Sequence, residues 1–110
     1  MNRMIIAALL SVFASQADAQ DQKVQQGKEV FNRWCVACHA AGDAYPGTLA
    51  LQAKYKGETP AALEQRKDLN PDLVKFFVRN GVSVMPFFRK TEISDAELSA
   101  LATYLAQPAR

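Results

Sequence analysis

The sequence predicts an all-α domain, and three observations carry the prediction. Apolar residues recur at the three-and-four spacing of a helical face in segments beginning near residues 24, 73 and 98. Two of these segments follow recognisable helix-opening signals, Asn70-Pro71-Asp72 and Ser94-Asp95-Ala96-Glu97. No segment reads as a strand.

At 110 residues the chain has room for one domain. Nearly half of it is apolar and none is low in complexity, so a folded core is expected rather than disorder. The formal charge of +2, without a basic run interleaved with aromatics, argues against nucleic acid or an acidic membrane surface as partner. No repeat of solenoid length is present.

Residues 1–19 read as a cleavable secretory signal, leaving residues 20–110 as the working domain. Arg3 supplies the positive start, Met4 to Ala14 is apolar apart from Ser11, and Ala17-Asp18-Ala19 is the small-residue pattern of a cleavage site. The apolar run is about half of the roughly 20 residues a membrane anchor needs. The expectation is therefore export to the periplasm, cleavage after Ala19, and no membrane span afterwards.

The first helix is expected to open at Asp21 or Gln22, with Val24, Gly27, Phe31, Trp34 and Cys35 on one face. Gly42 to Gly57, with Pro46-Gly47 and few periodic apolar residues, reads mostly as loop. Thr59-Pro60 resembles an N-cap with proline at the first helical position, opening a short helix through Ala61, Ala62 and Leu63. Asn70-Pro71-Asp72 opens a helix carrying Leu73, Val74, Phe76, Phe77 and Val78. It should end at Asn80-Gly81, where glycine can take the left-handed cap. Ser94 and Glu97 form a capping box for the last helix, whose face holds Leu98, Leu101, Ala102 and Leu105 and whose stop is Pro108.

About ninety residues in four helices bury only a modest core, and a large flat apolar cofactor would complete it. Cys35-Val36-Ala37-Cys38-His39 is C-x-x-C-H, the attachment sequence of c-type haem. On a helical turn the two sulfurs would reach the vinyl groups along one porphyrin edge, and His39 would follow as an iron ligand. The competing readings are a thioredoxin-like redox pair, a disulfide staple and half a zinc site. The first belongs with a βαβ pattern, and zinc wants four ligands, whereas the chain has no further cysteine or histidine. The expected cofactor is one covalently attached haem c with its iron.

Once the signal is removed Met85 is the only methionine, and no second histidine exists, so elimination makes Met85 the sixth ligand. The bland alternative is a methionine filling a core gap. Met85 precedes Pro86 in an irregular segment between two helices, which suits a strap presenting its thioether. A histidine–methionine pair favours ferrous iron.

These residues carry a resemblance to the class I cytochromes c over essentially the whole mature length. Gly27-x-x-x-Phe31 ahead of C-x-x-C-H, and Leu101-x-x-Tyr104-Leu105 in the last helix, are similar to the family's crossed terminal helices. The resemblance implies a small class I cytochrome c fold of about four helices wrapped around one haem. It also implies that Pro46 offers its backbone carbonyl to the N–H of His39, although the His39–Pro46 loop is shorter than in the mitochondrial type. As a turn dipeptide, Pro46-Gly47 has a plainer explanation too.

The stretch from Val78 to Phe88, with Arg79-Asn80-Gly81 and Met85-Pro86, is most similar to the cytochrome subunit of p-cresol methylhydroxylase and of related 4-alkylphenol and eugenol hydroxylases. That likeness implies a flavoprotein of the vanillyl-alcohol oxidase type as electron donor and a downstream redox protein as acceptor. The segment Leu51 to Lys67 is longer than in those subunits.

Leu49, Leu73, Phe77, Phe87 and Phe88 are candidate haem walls, or simply core. Arg79, Arg89 and Lys90 are candidate contacts to a propionate or a partner, or solvated charge. No acid–base pair, nucleophile or open metal position is evident, so the expected role is single-electron transfer rather than catalysis by this chain. The alternatives are a free diffusible periplasmic carrier between another dehydrogenase and a terminal oxidase, a haem enzyme or gas sensor with an exchangeable sixth site, and a thiol–disulfide oxidoreductase.

Overall fold

A computed structural model describes residues 2–107, with side chains from Ser15 onward. Helix α1 spans Asn2–Trp34, α2 Val36–His39, α3 Pro46–Tyr55, α4 Pro71–Asn80 and α5 Asp95–Leu105, with a single 3₁₀ turn at Leu63–Gln65. Among the described residues the only β pairing is an isolated bridge between Val82 and Met85. The all-α expectation holds.

Helix α1 does not open at Asp21 or Gln22 but runs continuously through them. Residues 15–22 include no proline or glycine to stop it, and they lie exposed along it. Its later half carries the expected face: Gly27 and Phe31 are buried, and Val24, Trp34 and Cys35 are half-buried. Val30, which the expected face omits, is also in the core.

Two local expectations are corrected. The segment from Gly42 to Gly57 is not mostly loop, because α3 occupies most of it. Pro46 takes the first helical position, where its missing N–H costs nothing, and Leu49 to Lys54 are good helix formers. Propensity builds this helix; only Thr48 is buried, so it shows no periodic face to read. Lys56 and then Gly57, both at positive φ, end it.

The short helix expected after Thr59-Pro60 is absent. Ala62 is extended, and only the 3₁₀ turn follows. Tertiary contacts fix this segment instead. The Tyr104 hydroxyl donates to the Glu64 carboxylate, and buried Arg66 donates to the Tyr55 hydroxyl at 2.8 Å and to both Asp68 carboxylate oxygens. So few residues cannot sustain a helix alone.

Helix α4 opens as expected, with Asn70 Oδ1 accepting the Leu73 N–H at 2.9 Å and Pro71 at the first position. It ends at Gly81, whose φ is positive, but with ψ at 176° the cap is not the left-handed one. The capping box of α5 is complete: Ser94 Oγ accepts the Glu97 N–H, and Glu97 accepts the Ser94 N–H at 2.8 Å. Leu98, Leu101, Ala102 and Leu105 are buried along α5 together with Ala100 and Tyr104. The stop expected at Pro108 lies outside the described residues.

The core sits where α1 crosses α5, with Phe31, Ile93 and Leu101 fully buried and α4 packed beside them through Val74 and Val78. Gly27 sets the approach. A Cβ built there would stand 2.6 Å from Tyr104 Cβ and closer still to the Ala100 carbonyl oxygen. The Phe31 and Tyr104 rings meet at 6.1 Å beside it.

Gly27→Ala therefore sets two effects against each other. Alanine favours the helix by about 1 kcal/mol, while forcing the helices apart costs roughly 1–3 kcal/mol. Backbone cannot rotate aside as a side chain can, so the clash wins. Thermal unfolding should shift down by several degrees, at about 4–8 °C per kcal/mol for a domain this small. A Tm that rises would contradict the packing described.

Candidate functional site

The site is built from a helical turn, the start of helix α3 and a strap between α4 and α5. Helix α2 continues α1 after a one-residue break: the Cys35 N–H donates to the Phe31 carbonyl at 2.9 Å. The Cys35 carbonyl then accepts from both Cys38 N–H at 3.1 Å and His39 N–H at 2.9 Å. That turn sets the two free thiols one helical turn apart, Cys35 half-buried and Cys38 exposed, and places His39 directly after them.

Burial, and after it the neighbouring Cys38, push the Cys35 thiol up to about 12. A thiol–disulfide exchange pair is activated by the opposite shift, and among the described residues no βαβ unit surrounds this one. Nor do the described residues include any group of three or more His, Cys, Asp or Glu side chains able to hold a metal ion unaided. The zinc and redox readings lack what they need.

His39 is held from behind by α3. The Thr48 hydroxyl, buried, donates to the Ala40 carbonyl at 2.6 Å and ties the start of α3 to the end of α2. Gly47 then lies against the imidazole, where a Cβ would come within 2.8 Å of His39 Cε1 and 2.7 Å of the Cys38 carbonyl oxygen. Burial lowers the His39 pKa, so the ring keeps the neutral, ligating form to lower pH than a free imidazole.

The expected bond from His39 Nδ1–H to the Pro46 carbonyl is not made: Nδ1 is buried without a hydrogen-bond partner. Pro46 is the first residue of α3, so its carbonyl heads the helix ladder and points along the helix axis. Pro46 positions Gly47 and Thr48 as the helix start. Thr48 was not foreseeable, because its role depends on a contact eight residues away that leaves no pattern in the sequence.

Met85 lies on a strap between α4 and α5. The Val82 and Met85 backbones bond reciprocally, at 3.2 and 2.9 Å, around a tight turn with Ser83 at positive φ. Gly81 is required beneath it, for a Cβ there would stand 2.6 Å from the Met85 carbonyl oxygen and 2.9 Å from the Phe87 nitrogen. The strap holds Met85 half-buried and leaves Val84 almost fully exposed.

The candidate wall residues divide. Leu49, Leu73 and Phe87 are exposed, as are Phe76, Val82 and Val84. Phe77 is half-buried edge-on to Phe76. Phe88 packs inward against Trp34, with ring centroids 5.8 Å apart. Large apolar side chains left in water on both α3 and the α4–strap segment are what a flat hydrophobic cofactor would cover.

The candidate cations divide as well. Arg89 pairs with Glu92 and Lys90 with Asp95, both at the surface. Arg79 is internal to the fold: Nη1 donates to the carbonyls of Phe88 and Ile93, at 3.1 and 2.8 Å, and Nη2 donates to Asp95 at 2.9 Å.

The donor set is thus one imidazole, one thioether and two free thiols on one turn, with uncovered apolar surface on neighbouring elements. Two axial donors do not hold a bare metal ion, but they suit an iron already held by four porphyrin nitrogens. Cys35 and Cys38 on that turn fit the covalent attachment of haem c, and His39 and Met85 are the side chains that would be offered to its iron.

Residues 22–105 match the family model described as cytochrome c oxidase, cbb3-type, subunit III. The chain is 26% identical over 106 residues to a cytochrome c6 of Cyanidium caldarium, covering 96% of this chain and 90% of that protein. It is 31% identical over 105 residues to a cytochrome c6 of a Picosynechococcus species, covering 94% and 89%. No solved structure matches.

Proposed function

The chain belongs to the class I cytochromes c, in the family of cytochrome c oxidase, cbb3-type, subunit III, and from that premise we propose that it is an exported electron carrier serving a flavoprotein dehydrogenase. The coarser part follows from family membership: this is a monohaem c-type cytochrome of an electron-carrier family. When bound, haem c supplies a one-electron ferric/ferrous couple. The observation that carries the reading is the attachment pentapeptide itself, folded as one helical turn directly on the end of the helix that crosses α5.

The chain's own residues account for the rest. Cys35 and Cys38 would retain the cofactor covalently, which suits a protein released into a dilute compartment. His39, backed by Gly47 and with burial favouring its neutral form, would offer an imidazole nitrogen to the iron. The strap would present the Met85 thioether from the other segment, and a thioether ligand would favour the reduced state. Among the described residues no helix is long and apolar enough to cross a membrane. The Ala17-Asp18-Ala19 signal supports export to the periplasm.

The proposed donor is a flavoprotein of the vanillyl-alcohol oxidase type that oxidises a para-alkylphenol. The likeness of Val78 to Phe88 to flavocytochrome subunits supports this, as do the exposed Val84 and Phe87 on the same strap, since aromatic residues dominate the energetics of lasting interfaces. A downstream redox protein would then take each electron in turn. The test is to co-express such a flavoprotein encoded beside this chain, purify through a tag on the flavoprotein alone, and add a 4-alkylphenol. The expected result is co-purified haem that becomes reduced. Haem that neither co-purifies nor is reduced would remove this donor and leave a diffusible carrier.

A further inference from the structure

The segment between α4 and α5 is closed at its base by more than the helix ends. The strap leaves α4 after Asn80 and returns to it at Phe88, whose N–H donates to the Val78 carbonyl at 2.8 Å. The carbonyl of the same residue, Phe88, accepts from Arg79 Nη1. That nitrogen's second hydrogen goes to the Ile93 carbonyl, and Nη2 goes to Asp95, the first residue of α5. One guanidinium thus joins the end of α4, the returning limb of the strap and the start of α5.

We propose that Arg79 is the latch of the methionine strap, a positioning residue whose bonds to Phe88, Ile93 and Asp95 set how readily Met85 leaves the iron. The inference rests on the reading of Met85 as an axial ligand. The Phe88 bond closes the loop base and must stretch or break when the strap swings out, while the Ile93 and Asp95 bonds hold the guanidinium where it can make it. The side chain is only 22% exposed, and both Nη1 hydrogens are committed to carbonyls, so Arg79 is poorly placed to serve a propionate or a docking partner through that nitrogen.

A planar fork is needed for this geometry, because it serves acceptors on three residues from two nitrogens. Arg89 is the natural contrast. It sits on the same limb, carries the same charge and pairs with Glu92 three residues away. That pair lies within the limb and does not cross the loop base, so opening the strap leaves it intact.

The experiment uses the haem-loaded ferric protein titrated with imidazole, which competes for the iron only when Met85 is displaced. Apparent affinity then scales with the fraction of molecules whose strap is open. The sulfur-to-iron band at the red end of the spectrum reports Met85, and urea unfolding followed by circular dichroism reports the fold. Arg79→Gln should bind imidazole about tenfold more tightly or better, since charge-assisted bonds that stabilise only the closed strap are lost. Arg89→Gln should stay within about twofold of the parent.

If Arg79→Gln shifts the urea midpoint but leaves imidazole affinity unchanged, Arg79 is merely structural and the proposal is overturned. Equal gains in Arg79→Gln and Arg89→Gln would overturn it too, by tracing the effect to charge. Should Arg79→Gln fail to fold with haem, Asp95→Asn carries the test: it weakens the same fork and should tighten imidazole binding by about threefold, and no change would refute the latch. A parent protein without the sulfur-to-iron band, or Met85→Ala with an unaltered spectrum, would instead show that Met85 is not the ligand, and both readings would fall together.

Discussion

Replacing Cys35 and Cys38 together by alanine abolishes covalent haem retention and leaves the chain poorly folded; this is the largest effect expected of any change here. The fully buried large side chains centre on Phe31, Ile93 and Leu101 at the α1–α5 crossing. Much of the remaining bulk, including Leu49, Leu73, Phe76 and Phe87, lies uncovered on the elements that flank His39 and Met85. Each 100 Å² of such surface returned to water costs about 2.5 kcal/mol. A small domain's whole net stability is about 5–15 kcal/mol. Losing the cofactor therefore removes a large part of the driving force. Acid–acetone extraction and far-ultraviolet circular dichroism of the double variant check it. A compact helical protein without haem would show that the α1–α5 crossing suffices alone.

Met85→Ala lowers the reduction potential by about 0.1 V or more, within the span of about 0.8 V that axial ligands govern. It also eliminates the sulfur-to-iron band. The thioether favours ferrous iron, and neither water nor a lysine such as Lys90 reproduces that preference. The strap itself should survive, because it is held by backbone bonds between Val82 and Met85 and between Phe88 and Val78, and by Arg79. Fold and ligation can thus be separated: an unchanged urea midpoint with a much lower potential is the expected pair. Spectroelectrochemistry that finds the parent potential in the variant would return Met85 to the role of core filler.

The candidate site was legible in the sequence where a few adjacent residues carry its chemistry. C-x-x-C-H is complete within five positions, and Met85 becomes a candidate by counting. The Asn70 and Ser94 caps were legible for the same reason, since each bond they make closes over three residues. Gly27 was readable through its spacing to Phe31, with the crossing partner on α5 supplied by resemblance.

What escaped had a different physical basis. Helix α3 forms from propensity with only Thr48 buried, so periodicity had nothing to detect. The expected helix after Thr59-Pro60 lost to bonds from Tyr104, forty residues away, and to Arg66 reaching Tyr55 and Asp68. Pro46 was expected to offer its carbonyl to His39, but as the start of a helix it presents Gly47 and Thr48 to that turn instead. Arg79 reads as any surface cation until its carbonyl partners 9 and 14 residues away are brought to it.

By itself, then, the sequence determined the all-α class, the attachment turn and the identity of both axial candidates, because local spacing and side-chain chemistry suffice for each. Tertiary structure alone decided which backbone holds His39, how the strap is closed, and which apolar and basic side chains face inward. Those outcomes depend on hydrogen bonds and packing between distant segments, and a carbonyl oxygen that accepts from a distant guanidinium is the same in every residue type.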